Sequence, residues 1–155
     1  MLDKIDLTLL EALQADASLS HASLGKRSGL SPAGVHKRLA RLKKEGVIRQ
    51  TTALLDRSKL GLDLLCFLKV TFRDNMRTEN LAEFTSAVRS LPEVLEAYSI
   101  TGATDALLKV LVRDQGALRE FLRRLSEFQN LIERVETCLV LEEFKESHIL
   151  PLNRP

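Results

Sequence analysis

The sequence predicts an α+β fold, in which an N-terminal winged helix-turn-helix domain precedes a C-terminal ferredoxin-like (ACT-like) domain of β-α-β-β-α-β order. Apolar residues in the first third recur with a period of about 3.6, and from Leu64 onward the period alternates between about 2 and about 3.6. Residues 1–60 hold eleven Lys or Arg against six Asp or Glu, whereas residues 61–155 hold twelve against fifteen. The net charge of +2 therefore combines a basic half with an acidic half.

The composition limits the class of protein. With 155 residues, 45% of them hydrophobic and 28% charged, the chain can form one sizeable domain or two small ones. No stretch approaches the roughly 18 apolar residues of a membrane span, and the N-terminus has no signal-peptide pattern. We therefore expect a cytoplasmic protein with no membrane partner. Cys66 and Cys138 lie in apolar runs and are expected to be buried and reduced.

Three helices are expected in the first half, at about residues 3–15, 21–28 and 32–45. Each begins after a side chain that can cap a helix, namely Asp3, Ser20 or Ser31. Asp6 would complete a capping box with Asp3. The second and third helices are about three residues apart, which is typical of a helix-turn-helix.

Strand signals begin after the third helix. The β-branched segment 47–55 is expected to form a strand or a small wing hairpin. We place a DNA-binding domain at 1–52, a linker or hinge strand at 53–62 and the second domain at 63–155. In that domain we expect a strand over 64–72, a helix capped by Thr78, strands over 94–101 and 106–112, a helix from about Gln115 and a strand over 132–144.

The third helix has one apolar side and one basic side. At about 100° per residue, Val35, Leu39 and Leu42 form a compact stripe, and four cationic residues lie on the opposite arc. The side chains of its first turn are small, so the backbone there can approach a partner closely. The positive end of the helix dipole also attracts phosphate to this turn. Residues 26–49 hold eight Lys or Arg against one Glu. This pattern favours a recognition helix in the major groove of double-stranded DNA over a merely solvated basic face.

We assign an expected DNA contact to each residue from its position on the helices. Base edges are expected to be contacted by Ala33, Gly34, Lys37 and Arg38, with Arg38 best placed for a bidentate contact with guanine. Ser31 lies in the same N-terminal turn. Phosphates are expected to be contacted by Ser20, His21, Lys26, Arg41, Lys44 and Arg49. A role for His21 as a partly exposed helix residue is equally consistent with the sequence.

Several motifs resemble the Lrp/AsnC (leucine-responsive/asparagine-responsive, feast/famine) family of transcriptional regulators. In the first half they are Leu2-Asp3-x-Ile5-Asp6-x-x-Leu9-Leu10, Gly29-Leu30-Ser31, Val35-x-x-Arg38-Leu39-x-x-Leu42 and Glu45-Gly46-Val47-Ile48. In the second half they are Thr101-Gly102-x-x-Asp105, Leu107-Leu108-Lys109-Val110 and Thr137-x-x-Val140-Leu141. The resemblance covers nearly the whole chain.

The resemblance implies a sequence-specific regulator whose second domain forms dimers and higher assemblies such as octamers. It also implies that an amino acid binds between dimers, near the turn after the second strand. The residues that correspond to this site are Thr101, Gly102, Ala103, Asp105 and Thr137, and Tyr98 could close it. A carboxylate such as Asp105 can accept from an α-ammonium, although it could instead cap the turn. Ala106, Val135 and Gly25 depart from the residues usual in the family, and Gly25 lowers helix propensity by roughly 1 kcal/mol.

Other functions are less consistent with the sequence. The histidines lie in unrelated segments and no metal-ligand, nucleophile or phosphate-loop spacing is present, so we expect no enzyme, no metal and no cofactor beyond an amino-acid effector. An architectural protein that wraps or bridges DNA without an effector is the alternative. Dimers are also expected on physical grounds, because outward-facing Leu65, Phe67, Leu107 and Leu111 are too apolar for open water.

Overall fold

A computed structural model describes residues 2–73 and 78–152. The chain divides into two compact units, one formed by Met1–Leu54 with Lys145–Pro155 and the other by Leu55–Phe144. No helix among the described residues is both long enough and apolar enough to span a membrane.

The first unit contains three helices, α1 (Lys4–Ala15), α2 (His21–Ser28) and α3 (Pro32–Lys44). The predicted caps are confirmed. Asp3 and Asp6 form a reciprocal capping box, the Ser20 side chain accepts from the Ser23 N–H, and the Ser31 side chain accepts from the Gly34 N–H. Gly29 ends α2 in the left-handed conformation with φ of 72°, which glycine adopts without strain.

The core of the first unit is built from the apolar sides of the three helices. Leu9, Leu24, Val35 and Leu42 are almost fully buried there. The end of the chain adds to it, because Leu152 packs against this core. The Gln14 amide also forms two hydrogen bonds with the Leu150 backbone, at 3.2 Å to its carbonyl and 2.7 Å from its N–H.

The strand or wing hairpin expected over 47–55 does not form. Residues 49–56 are assigned neither helix nor strand, and Leu54 and Leu55 are each 73% exposed. A strand needs a neighbouring backbone to accept its hydrogen bonds, and no strand is present among the described residues of this unit. A 3₁₀ helix of one turn, Ser58–Leu60, follows in the second unit.

The second unit has the predicted β-α-β-β-α-β order. Its elements are β1 (Leu64–Phe72), α4 (Thr78–Ser90), β2 (Val94–Ser99), β3 (Ala106–Val112), α5 (Gln115–Leu125) and β4 (Ile132–Leu139). The strands form one antiparallel sheet in the order β2-β3-β1-β4. The side chain of Thr78, the expected cap of α4, lies outside the described residues.

Two strands are shorter than expected. The predicted strand 132–144 ends at Leu139, which pairs with Cys66, and one further hydrogen bond joins the Val140 N–H to the Leu65 carbonyl at 3.0 Å. Because β1 begins at Leu64, the residues near 144 have no partner in β1. The predicted strand 94–101 ends at Ser99, where the chain turns toward β3.

Both helices cover one face of the sheet. Leu68, Val70, Leu108 and Val110 form its core with Phe121 of α5. Cys66 is fully buried as expected, and burial raises the pKa of its thiol. Cys138 is only half-buried, because its partner in the register is Phe67 on the opposite face. On that opposite face Leu65 is buried by its neighbours, whereas Phe67, Leu107 and Leu111 are half-buried.

Candidate nucleic-acid interface and ligand-binding turn

The orientation of α3 decides which side chains face a partner. Val35, Leu39 and Leu42 are buried in the core of the first unit, so the opposite side of the helix faces outward. Lys37 and Lys44 are exposed on that outward side, and among the described residues neither forms an ion pair. The α3 surface is therefore both exposed and positively charged, as the sequence predicts.

The structure brings most of the predicted DNA-contacting residues to the surface of the first unit. The residues Ser20, His21, Lys26, Ser31, Ala33, Lys37, Lys44 and Arg49 are exposed, and Gly34 is half-buried. The rings of His21, at the start of α2, and His36, in the middle of α3, have centroids 5.5 Å apart. This contact places the N-terminal end of α2 beside the exposed side of α3.

Arg38 and Arg41 are arranged differently from the other cations. Arg38 Nη1 donates to Asp3 Oδ2 at 2.5 Å and to Asp6 Oδ1 at 2.9 Å. Arg41 Nη2 donates to Asp6 Oδ2 at 2.6 Å. The two guanidiniums on α3 are thereby bound to the carboxylates of the α1 capping box.

Asp6 is the one charged residue that is fully buried among those described. Burial by itself raises the pKa of Asp6, but hydrogen bonds from Arg41, the Asp3 backbone and Arg38 together lower this pKa to about 2. The hydrogen bonds that Arg38 donates to Asp3 and then to Asp6 raise the pKa of Arg38, and the hydrogen bond to Asp6 raises the pKa of Arg41. The cluster is therefore fully ionised at neutral pH.

This cluster differs from the expected arrangement, in which Arg38 was the residue best placed for guanine. On the helical projection Arg38 lies only about 40° from Leu42 at the edge of the apolar stripe, so it is directed toward α1. Asp3 and Asp6 were predicted as helix caps, and their ion pairs with α3 were missed. The proximity of Arg38 to the apolar stripe is the signal that could have indicated them.

The turn between β2 and β3 contains most of the predicted effector residues. Thr101, Gly102 and Ala103 are exposed, and Gly102 has a φ of 124°, which favours glycine. Asp105 Oδ2 accepts a hydrogen bond from the Phe72 N–H at 2.8 Å. The Asp105 carboxylate therefore ties the turn to the end of β1, while the side chain remains exposed.

Thr137 lies apart from this turn within one protomer. It pairs with Leu68 of β1, and β1 lies between β4 and β3 in the sheet. Because neighbouring strands are about 4.8 Å apart, two strand spacings, roughly 10 Å, separate Thr137 from the start of β3. Within one protomer, Thr137 therefore does not lie directly beside the turn.

A cleft of about 450 Å³ lies between α4 and β2. Its wall is mainly apolar and includes Phe72, Phe84, Val88 and Leu108. Tyr98 is the only predicted effector residue that lines it. The Tyr98 hydroxyl donates to Glu96 Oε2 at 2.5 Å, and this hydrogen bond raises the pKa of Tyr98.

Comparison with known proteins matches both units. Residues 2–49 match a family model described as winged helix-turn-helix DNA-binding, and residues 65–150 match one described as Lrp/AsnC ligand binding domain. The chain is 39% identical over 148 residues to the proline dehydrogenase transcriptional activator of Rhizobium radiobacter, covering 96% of this chain and 94% of that protein.

Two further relatives are similar over nearly their whole length. The leucine-responsive regulatory protein of Escherichia coli (strain K12) is 36% identical over 149 residues, covering 96% of this chain and 90% of that protein. A crystal structure of a Neisseria meningitidis transcriptional regulator in complex with L-Met has a TM-score of 0.91 at 33% identity, covering 99% of this chain and 98% of that one.

Proposed function

This chain belongs to the Lrp/AsnC family of DNA-binding transcriptional regulators, and from this premise we propose that it binds operator DNA through α3 and that an amino acid modulates this binding. Its relatives are regulators rather than enzymes, and we propose that this chain too acts by binding and not by catalysis. Its site of action is then the cytosol that holds the chromosome.

The observation that carries the DNA-binding proposal is the two-sided character of α3. Its apolar side is buried, and its outward side exposes Lys37 and Lys44. The ring contact between His21 and His36 places the start of α2 beside this outward side. Because Asp3 and Asp6 bind Arg38, we assign the principal base-edge contact to Lys37, with Ala33 and Gly34 allowing close approach. Lys26, Lys44 and Arg49 neutralise phosphates in this proposal.

Lys37→Ala tests the orientation of α3. Operator duplexes are first selected from random double-stranded DNA with the wild-type protein, and affinities are then measured over a series of salt concentrations. We expect Lys37→Ala to lose affinity for the selected site by about tenfold, with a weaker preference at the base that Lys37 contacts. Lys59→Ala, an exposed lysine of the second unit, is the matched control. If Lys37→Ala and the control bind alike, α3 does not face the groove.

The effector proposal is based on the turn that contains Asp105. Thr101, Gly102 and Ala103 are exposed beside a carboxylate that can accept from an α-ammonium group. Thr137 would be contributed by a second copy, since it lies two strands from this turn. Because the structure of the Neisseria relative is a complex with L-Met, methionine is the first ligand to test.

Calorimetry with a panel of amino acids that includes methionine tests this proposal. Asp105→Asn retains an oxygen that can accept from the Phe72 N–H but loses the negative charge, whereas Asp105→Ala loses both. We expect the wild type to bind at least one amino acid and Asp105→Asn to bind it about tenfold or more weakly. Equal affinity of wild type and Asp105→Asn would remove Asp105 from the site.

The hydrogen bond from the Phe72 N–H to Asp105 supports a second candidate function, in which Asp105 stabilises the turn and binds no effector. In that case the protein is an architectural DNA-binding protein that needs no effector. If no amino acid changes operator binding or the sedimentation coefficient, this second candidate is the correct one.

We also propose that the protein assembles into homodimers and then into larger oligomers such as octamers. The side of the sheet opposite α4 and α5 leaves Phe67, Leu107 and Leu111 partly exposed, and a second copy would cover them. A two-fold dimer would present two copies of α3 to a pseudo-palindromic operator.

A further inference from the structure

The Arg38–Asp6–Arg41 cluster joins a fully buried carboxylate to two cations of the DNA-facing helix. Asp6 uses both oxygens, Oδ1 for Arg38 and Oδ2 for Arg41, and Oδ2 also accepts from the Asp3 N–H at 3.1 Å. The Asp6 side chain is 1% exposed, whereas the two arginine side chains are 28% and 39% exposed. The arginines thus reach the surface, but their charged ends are held by α1.

The ion pairs of this cluster determine which cations of α3 remain available to DNA phosphates. An unpaired buried carboxylate is costly, so Asp6 keeps its two partners as long as the first unit is folded. Each cation that is held in this way is not available to displace counterions from DNA phosphates, a step that contributes about 0.9 to the slope of log affinity against log salt for each contact. The cluster therefore limits the sequence-independent part of DNA affinity.

We propose that Asp6, assisted by Asp3, is a specificity-determining residue: it holds Arg38 and Arg41 away from phosphates, so that α3 discriminates operator from other DNA. This proposal rests on the DNA-binding function proposed above. Asp6 acts through the arginines and is therefore a positioning residue. Its effect on binding differs from that of a purely structural ion pair, whose loss would weaken binding to all DNA sequences.

Asp6→Asn in the full chain tests the proposal, because it removes the charge and keeps nearly the same shape. Affinity is measured for the selected operator and for a scrambled duplex across a salt series. We expect Asp6→Asn to bind the scrambled duplex several-fold more tightly, with a salt slope steeper by about 1 to 2 and a smaller operator-to-scrambled ratio. Unchanged or weaker binding of folded Asp6→Asn to the scrambled duplex would overturn the proposal.

Two further variants separate positioning from a general change in charge. Asp16→Asn makes the same charge change on an exposed residue of the same unit, which hydrogen-bonds Ser18 rather than an arginine. We expect it to leave the scrambled-duplex slope near that of the wild type. Adding Arg38→Gln and Arg41→Gln to Asp6→Asn is expected to abolish the gain, and a gain that persists would overturn the proposal.

Asp3→Asn keeps the test decisive if Asp6→Asn does not fold. The Asp3 side chain is 52% exposed and binds Arg38 but not Arg41, so removing its charge should have a smaller effect than removing that of Asp6. We expect a smaller increase in scrambled-duplex affinity, with a slope steeper by no more than about 1, and no increase would count against the proposal. If wild type itself binds no DNA, the proposed function fails; if wild type binds but the variants do not differ from it, only this inference fails.

Discussion

At the scale of single residues, the Asp6 carboxylate determines how the stability of the first unit depends on pH. Its pKa of about 2 in the folded protein lies below its ordinary value of 3.8. A carboxylate with a lowered folded pKa stabilises the protein above its unfolded pKa, and this stabilisation is lost as pH falls through the folded pKa. The contribution of Asp6 is therefore complete above about pH 5 and is largely lost by about pH 2.

The predicted pH dependence can be measured by urea unfolding followed through NMR signals of the first-unit core. We expect the wild type to lose about 2 kcal/mol of unfolding free energy from this residue between about pH 5 and pH 2. Asp6→Asn should be less stable at neutral pH and should lack most of this drop. A drop of the same size in wild type and Asp6→Asn would show that the carboxylate does not control it.

The same residues show what could be predicted from the sequence at this scale. Asp3, Ser20 and Ser31 were identifiable as caps because a cap contacts residues two or three positions away. The position of Arg38 beside the apolar stripe indicates that it faces the rest of the unit, but not which carboxylate it meets. Asp6 is 32 positions away, and only the packing of α1 against α3 brings the two together. Lys37 and Lys44, which form no ion pair within the part of the chain that the structure describes, were correctly predicted to be exposed.

At the scale of elements, Gly25 sets how closely α2 can approach the turn that leads to α3. A Cβ added at Gly25 would lie 2.5 Å from the Leu30 carbonyl oxygen, and the Leu30 N–H donates to the Gly25 carbonyl at 3.0 Å. The glycine that lowers helix propensity in the sequence therefore gives the turn the space it needs. This backbone contact could not be inferred from propensity.

Gly25→Ala is accordingly expected to destabilise the first unit by about 1 to 3 kcal/mol despite the better helix propensity of alanine. Gly34→Ala is the matched control, because its added Cβ would lie 3.4 Å or more from neighbouring atoms. That control should be neutral or stabilising by up to about 1 kcal/mol. Urea unfolding of both variants measures the difference, and equal stabilities would contradict the close contact at Leu30.

Helices and strands differed in how well the sequence predicted them. A helix satisfies its own backbone hydrogen bonds, so α1, α2 and α3 could be predicted from caps and periodicity. A strand extends only as far as its neighbour, and this explains why segment 47–55 is irregular and β4 ends at Leu139. The turn between β2 and β3 was located correctly, but the distance of Thr137 from it depends on strand order.

At the scale of the whole molecule, the end of the chain returns to the first unit. Leu152 packs against the core of that unit, and Gln14 binds the Leu150 backbone across 136 positions of sequence. Nothing in the local pattern of residues 145–152 indicates this partner. This segment directly follows the second unit in the sequence, so the first unit is covalently linked to both ends of the second.

One face of the four-stranded sheet is not covered by α4 or α5. Phe67, Leu107 and Leu111 lie on the face opposite α4 and α5, where Lys69 pairs with Glu136 and Lys109 pairs with Glu96. These ion pairs neutralise the charges between the apolar side chains, so a second copy can cover the face without burying a lone charge. A symmetric interface uses every substitution twice, which amplifies its effect.

Phe67→Glu is therefore expected to dissociate the proposed dimer. It would bury two carboxylates without partners in the symmetric interface, which should raise the dimer dissociation constant by at least about 100-fold, or about 3 kcal/mol. Light scattering across a dilution series measures this change, and Leu60→Glu, which alters an exposed leucine off the sheet, is the control. Operator affinity should fall together with the dimer, because two copies of α3 contribute to it. A Phe67→Glu protein that keeps the wild-type mass would place the interface on another surface.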